Sequence, residues 1–167
     1  MLSVESIPGL IVNSNGNLKR TGSPQMVTDL DKYPSPDLSV FGIRNVLSYN
    51  LLGSRGCPFN CSFCFSYLGN KWRYRNPKKI VEELLKARER YDYKEFRFQD
   101  PVFNFNPEWV RDLCDEITAA GLSEMRWEAI GVELINLMMI CAGRCLTLAV
   151  KELLLGWKRY ILKYSSL

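Results

Sequence analysis

The chain has 167 residues and a mass of 19.3 kDa, with 47% hydrophobic and 24% charged residues. That suits one domain with a real core and excludes wholesale disorder, while a complete (β/α) barrel usually needs about 200 residues or more. The net charge is only +4, no long basic block occurs, and histidine is absent. These facts argue against nucleic acid as the main partner and exclude Ser-His-Asp and Cys-His catalysis, His-ligated zinc and Rieske-type clusters.

Residues 1–23 read as a β-hairpin. Leu10-Ile11-Val12 and Leu18-Lys19-Arg20 flank Ser14-Asn15-Gly16-Asn17, and Asn-Gly is the strongest short turn signal. Pro24, Pro34 and Pro36 make residues 24–40 a connector without regular elements. A strand is predicted over Val46–Leu52, then a loop at Gly53, Gly56 and Pro58. From there the pattern is βα. Asn76-Pro77 opens a helix, with Asn as N-cap and Pro in its first turn. Ile80, Val81, Leu84, Leu85 and Tyr91 form its apolar stripe, and Glu82 and Lys86 an exposed pair. A strand follows at Glu95–Gln99, with Phe96 and Phe98 on one face. A second Asn-Pro start, Asn106-Pro107, opens a helix carrying Trp109, Val110, Leu113, Cys114 and Ile117, with Gly121 as its C-cap. A third strand at Met125–Ile130, a helix near Glu133–Ala142 and a strand at Cys145–Val150 complete the pattern. Such alternation implies an α/β fold with a parallel sheet and right-handed crossovers, whose functional sites stand at the C-terminal ends of the strands.

No apolar run approaches the ~18 residues of a membrane helix. Met1-Leu2-Ser3-Val4-Glu5 lacks the basic start and apolar core of a signal peptide, so the expectation is a cytoplasmic protein without a membrane partner. In that setting six cysteines are thiols or metal ligands rather than disulfides. Three of them, Cys57, Cys61 and Cys64, form C-x3-C-x2-C in the loop after the first core strand. Gly56, Pro58 and Asn60 suit the tight turns that would let three thiolates converge. Three readings stand side by side: unreacted thiols; a non-catalytic zinc module, which needs a fourth ligand such as Cys114; or an iron–sulfur cluster with three protein ligands and one open iron. Cys114 falls on an apolar stripe, which favours the core for it.

The C-x3-C-x2-C spacing, with the aromatic Phe63 before the last cysteine and a position after a strand in a βα chain, resembles the signature of the radical S-adenosylmethionine (SAM) superfamily. The resemblance implies a partial (β/α) barrel of that type. It implies a [4Fe–4S] cluster on Cys57, Cys61 and Cys64, SAM on the open iron, and Phe63 beside the adenine. It further implies reductive cleavage of SAM to methionine and a 5′-deoxyadenosyl radical, with a reductant such as flavodoxin or ferredoxin. Residues 7–128 are similar to the cobalamin-dependent branch. Ile7-Pro8-Gly9-Leu10, Asp29-Leu30-Asp31 and the proline connector resemble the segment that joins a cobalamin-binding domain to the core. Lys71-Trp72-Arg73-Tyr74-Arg75 and Glu95-Phe96-Arg97-Phe98-Gln99-Asp100 look like the same branch. By that likeness Gln99 and Asp100 lie near the amino end of SAM, though Asp100 also reads as a turn residue before Pro101. Trp72, Tyr74, Phe103 and Phe105 line a substrate cavity or, more simply, pack the core and loops.

The expected domain layout is therefore a hairpin and connector at 1–45, a partial core at 46–150 and a divergent tail at 151–167. Cobalamin belongs to a domain missing before residue 1, since that domain's metal-ligating histidine motif cannot exist here. The tail has two readings. Leu153, Leu154, Trp157 and Ile161 have helical spacing. Alternatively, the tail is out of frame: Trp157 is TGG and the Lys158 codon begins AA, so a frame built from each codon's third base and the next two bases gives Glu there, close to a family pattern. The reading as a whole is a radical enzyme for methylation or rearrangement of a small molecule, present as an incomplete front part, or an inactive truncated gene product.

Overall fold

A computed structural model describes residues 3–62, 64 and 69–132. Strands β1 (Ile11–Ser14) and β2 (Asn17–Arg20) pair antiparallel, with Ser14 opposite Asn17. Asn15 and Gly16 both take positive φ, 52° and 88°, as a two-residue type I′ turn requires. The hairpin is almost wholly exposed, and Thr21 Oγ1 ties its base by donating to the Ile7 carbonyl at 2.5 Å and accepting from Leu10 N at 3.0 Å. The connector is more ordered than its prolines suggest. It contains two short 3₁₀ turns, Leu30–Lys32 and Leu38–Phe41, begun by Asp29 and Asp37. Each aspartate accepts from the backbone N–H two residues on, at 3.1 and 3.0 Å, a local bond that replaces the missing helix.

The core follows as β3 (Ser48–Leu51), β4 (Ser54–Arg55), β5 (Arg73–Tyr74), α1 (Pro77–Tyr91), β6 (Glu95–Phe98), α2 (Pro107–Ala119) and β7 (Arg126–Ala129). β3, β6 and β7 form a parallel sheet in that order, with Tyr49, Phe96 and Trp127 in register. The strand order never reverses, and α1 and α2 share one hydrophobic cluster with the sheet. Successive crossovers without reversal leave the helices on one face, which is barrel winding rather than a doubly wound sheet. This is the expected α/β class with a parallel sheet. The helix and strand predicted over Glu133–Ala142 and Cys145–Val150, and the tail from residue 151, lie outside the described residues.

Both Asn-Pro starts hold. Asn76 Oδ1 accepts from Lys78 N at 2.9 Å, and Asn106 Oδ1 from Glu108 N at 2.9 Å and Trp109 N at 3.2 Å. All five predicted apolar residues of α2 are buried, Cys114 among them. Its end is a Schellman closure: Gly121 N donates to Thr118 O and Leu122 N to Ile117 O, both at 3.0 Å. Ala120 is the cap, and Gly121, at φ 67°, is the left-handed residue after it. On α1 the stripe shifts. Leu85 is 38% exposed, and Ala87 takes its place beside Ile80, Leu84 and Tyr91. Glu82 pairs with Lys79 at 3.1 Å rather than with Lys86.

The sheet has two unlike faces. Tyr49, Leu51, Phe96, Phe98 and Ala129 enter the helix-side core. The alternate positions are polar. Gln99 Nε2 donates to Asn50 Oδ1 at 2.9 Å, and Arg97 Nη2 to Glu95 Oε1 at 2.9 Å. Arg97 Nε lies 2.7 Å from Glu128 Oε1 as an ion pair without hydrogen-bond alignment.

Candidate cluster loop

The C-terminal end of β3 leads into a corner, Leu52-Gly53, and then into the β4–β5 ladder, where Ser54 faces Tyr74 and Arg55 faces Arg73. This ladder closes the base of the loop that carries the cysteines. Gly56, at φ 86°, comes so close to the Lys71 carbonyl that a Cβ would overlap its oxygen, so only glycine fits there. One residue on, Cys57 N donates to Gly69 O at 3.0 Å. Cys61 and Cys64 follow in a turn, with Cys64 N donating to Cys61 O at 3.1 Å. Cys57 is half-buried, Cys61 and Cys64 are exposed, and none is in a disulfide. Phe63 lies outside the described residues.

Among the described residues, no three His, Cys, Asp or Glu side chains are gathered to hold a metal ion. Cys114 is 4% exposed inside the core between α2 and the sheet. The four-cysteine zinc set of Cys57, Cys61, Cys64 and Cys114 is thus not assembled: the stripe that places Cys114 on α2 commits it to the core.

The aromatics divide by depth. Phe103 is buried in the core, with its ring 5.0 Å from Phe98 and 5.6 Å from Trp109. Trp72 donates Nε1–H to the Val102 carbonyl at 3.0 Å and packs against Tyr74, Phe105 and Trp109 at 4.8, 5.4 and 5.7 Å. Phe59, inside the cysteine loop, meets Phe105 edge-on at 5.9 Å. The packing expectation holds for these rings, and Tyr74 and Phe105 keep one side open.

Gln99 and Asp100 follow β6 but behave differently. Gln99 is exposed and lines a cleft of about 250 Å³ with Asn50, Arg55 and Tyr33. Asp100 is 2% exposed, and its carboxylate is turned to the corner after β3. Oδ2 accepts from Gly53 N at 3.2 Å, while Oδ1 accepts from Ser54 N and, at 2.5 Å, from Ser54 Oγ–H. Burial pushes this carboxyl up to about 6, against the pull of those hydrogen bonds. A raised folded value means that the contribution to stability is complete below the ordinary carboxylate range and is lost as pH rises through about 6. The metal-free chain should therefore lose about 1 kcal/mol between pH 5 and pH 7 that the Asp100→Asn variant does not lose. Urea unfolding at the two pH values checks this; equal pH slopes in parent and variant would contradict it.

A second buried group was not legible as a site. Glu83 on α1 is 4% exposed. It accepts from Tyr49 Oη at 3.0 Å and Ser35 Oγ at 2.9 Å, and it pairs with Arg75 Nη2 at 2.8 Å. Arg75 Nε adds an ion pair with Asp31 at 3.5 Å, and Arg75 Nη1 donates to Leu52 O at 3.4 Å. Burial against the Glu83 carboxylate raises the Tyr49 hydroxyl well above its ordinary value. The connector is thereby fastened to α1 and to the corner beneath the cysteine loop.

The described residues thus form a one-sided parallel βα sheet of the kind found in part of a (β/α) barrel, with a three-cysteine loop at the exit of its first strand. The description "Radical SAM superfamily" matches residues 51–165, more than half of the chain, and the chain belongs to that family. An uncharacterized methyltransferase of Pyrococcus horikoshii is 29% identical over 133 residues, which cover 75% of this chain and 29% of the relative. The anaerobic magnesium-protoporphyrin IX monomethyl ester cyclase of Cereibacter sphaeroides is 28% identical over 131 residues, covering 72% and 21%. The chain thus spans less than a third of either relative. In fold it is similar to the cobalamin-dependent S-adenosylmethionine radical enzyme OxsB, solved with aqua-cobalamin and S-adenosylmethionine bound. The TM-score is 0.61 at 19% identity, over 76% of this chain and 19% of that one. This agrees with the partial (β/α) fold of the radical SAM type expected from the sequence. Among the described residues no helix is long and apolar enough to cross a membrane.

Proposed function

We propose that Cys57, Cys61 and Cys64 hold a [4Fe–4S] cluster and that the chain forms the cluster- and SAM-binding part of a radical enzyme of the cobalamin-dependent type. The observation that carries this reading is the loop itself. Three cysteines outside any disulfide stand at C-x3-C-x2-C, beyond a base closed by Gly56 and by the bond from Cys57 N to Gly69 O, at the exit of the first parallel strand. The donor set fits the group: thiolates are the usual cluster ligands, and three of them leave one iron open. The backbone ties at residues 53–57 fix the end of the loop that carries Cys57. Cys57, Cys61 and Cys64 would hold the cluster, which when reduced would supply the electron for reductive cleavage of SAM.

The protein's share is positioning. Gln99, open on the cleft beside Arg55, is the residue we assign to the SAM amino end, and Phe63 is assigned to the adenine. The names of the relatives favour methyl transfer or ring closure on a small molecule as the reaction class. Cobalamin chemistry is assigned to regions beyond these residues, and the electrons to a flavodoxin- or ferredoxin-like donor. Anaerobic reconstitution with iron and sulfide tests the reading. A brown protein with about four iron atoms per chain, whose reduced electron paramagnetic resonance (EPR) spectrum changes on adding SAM, is expected. A colourless protein that retains stoichiometric zinc would overturn it.

A further inference from the structure

The ligands of a cluster must be held by something other than the cluster if the loop is to be ready for it. In this chain the holding point is the corner after β3. Gly53 O accepts from Arg75 N at 2.9 Å, and a Cβ on Gly53 would meet Trp109 at 2.8 Å. The backbone N–H groups of Gly53 and Ser54 find their acceptor outside the β4–β5 ladder. They point at the Asp100 carboxylate, as does the Ser54 hydroxyl, which also lies 3.3 Å from Val102 O. Asp100 is itself wedged from the far side. Gly131, at φ 74°, packs so tightly on the Asp100 carbonyl that a Cβ would overlap it, and Phe103 N donates to Gly131 O at 2.9 Å. One buried carboxylate therefore sits where the ends of β3, β6 and β7 meet and holds Ser54, three residues ahead of Cys57.

We propose that Asp100 is a positioning residue for the cluster: its carboxylate, through Gly53 and Ser54, sets the place and rigidity of the backbone that delivers Cys57. The proposal rests on the cluster reading for its purpose, but the mechanical part stands apart from any metal. Asparagine at this position has the same shape yet turns an N–H₂ group toward one of the two sets of donors, so one set loses its acceptor. Ser54→Ala removes only the hydroxyl and leaves both backbone N–H bonds, so it is the milder lesion.

The test is run on the full chain in two arms. In the metal-free, reduced protein, amide hydrogen exchange is read by mass spectrometry for Asp100→Asn and Ser54→Ala against the parent. Exchange across residues 53–57 is expected to accelerate about tenfold in Asp100→Asn and less in Ser54→Ala, with α1 and α2 unchanged. In the reconstituted protein, Asp100→Asn is expected to lose iron to a chelator several-fold faster and to broaden the EPR signal of the reduced cluster. Unchanged exchange at 53–57, or acceleration that is equal in α1 and α2, would overturn the proposal, the latter because Asp100 would then support the whole fold rather than this corner. A parent that takes up no iron would refute the cluster reading alone, since the exchange arm needs no metal.

Discussion

Simultaneous replacement of Cys57, Cys61 and Cys64 by alanine is expected to lower the iron of the reconstituted chain from about four atoms to near zero, with the far-ultraviolet circular dichroism unchanged. The fold tolerates the change because two of the three side chains are exposed and the third is only half-buried. The loop's closure at Gly56 and Gly69 is made by backbone, not by thiols. Cys114→Ala is the matching control. It leaves a small cavity among the side chains that α2 buries and costs stability, yet the iron content should match the parent. Iron equal to the parent in the triple variant, or lost in Cys114→Ala, would show that the metal is held elsewhere.

The second large effect concerns stability. Glu83→Ala is expected to cost about 3–5 kcal/mol in urea unfolding at neutral pH, because it removes one partner of a buried ion pair rather than the pair. The Arg75 guanidinium keeps the longer ion pair with Asp31 and its bond to Leu52 O, while the Tyr49 hydroxyl, 3% exposed, loses its acceptor where water has little access. A domain of this size has about 5–15 kcal/mol in all, so about a fifth or more of its stability rests on this carboxylate. The connector should also become open to proteases around Ser35, since its ties to α1 pass through Glu83 and Arg75. A cost below about 1 kcal/mol would mean that solvent replaces the lost contacts.

Glu83 also illustrates what a sequence hides. A charged residue inside a helical stripe reads as exposed, and its partners come from Ser35, Tyr49 and Arg75, which no local pattern links to it. Asp100 has the same character. Its neighbour Pro101 suggests a turn, and the bonds to Gly53 and Ser54 span nearly fifty residues of chain. What was legible rested on short-range chemistry. Asn15-Gly16 dictates its turn by needing two positive φ angles, and the two Asn-Pro pairs start helices because the side chain and the ring serve orphan or missing N–H groups there. The alternation of strand and helix carried the parallel sheet. The cysteine spacing carried the family, which the match over residues 51–165 bears out. Leu85 was misassigned because a stripe of apolar letters fixes the helix but not which edge of the stripe faces inward; the small Ala87 lies closer to the centre of the packed face.

Arg75 joins more elements than any contact with a ligand would require. Its side chain reaches the connector and α1, its N–H and guanidinium meet the carbonyls of Gly53 and Leu52, and its own carbonyl takes the Trp109 indole N–H at 2.8 Å. A tug on the polypeptide upstream of Asp31 is therefore not absorbed by slack. Through this one side chain a displacement at Asp31 is passed to the corner at Leu52 and Gly53, from which the cysteine-bearing segment departs.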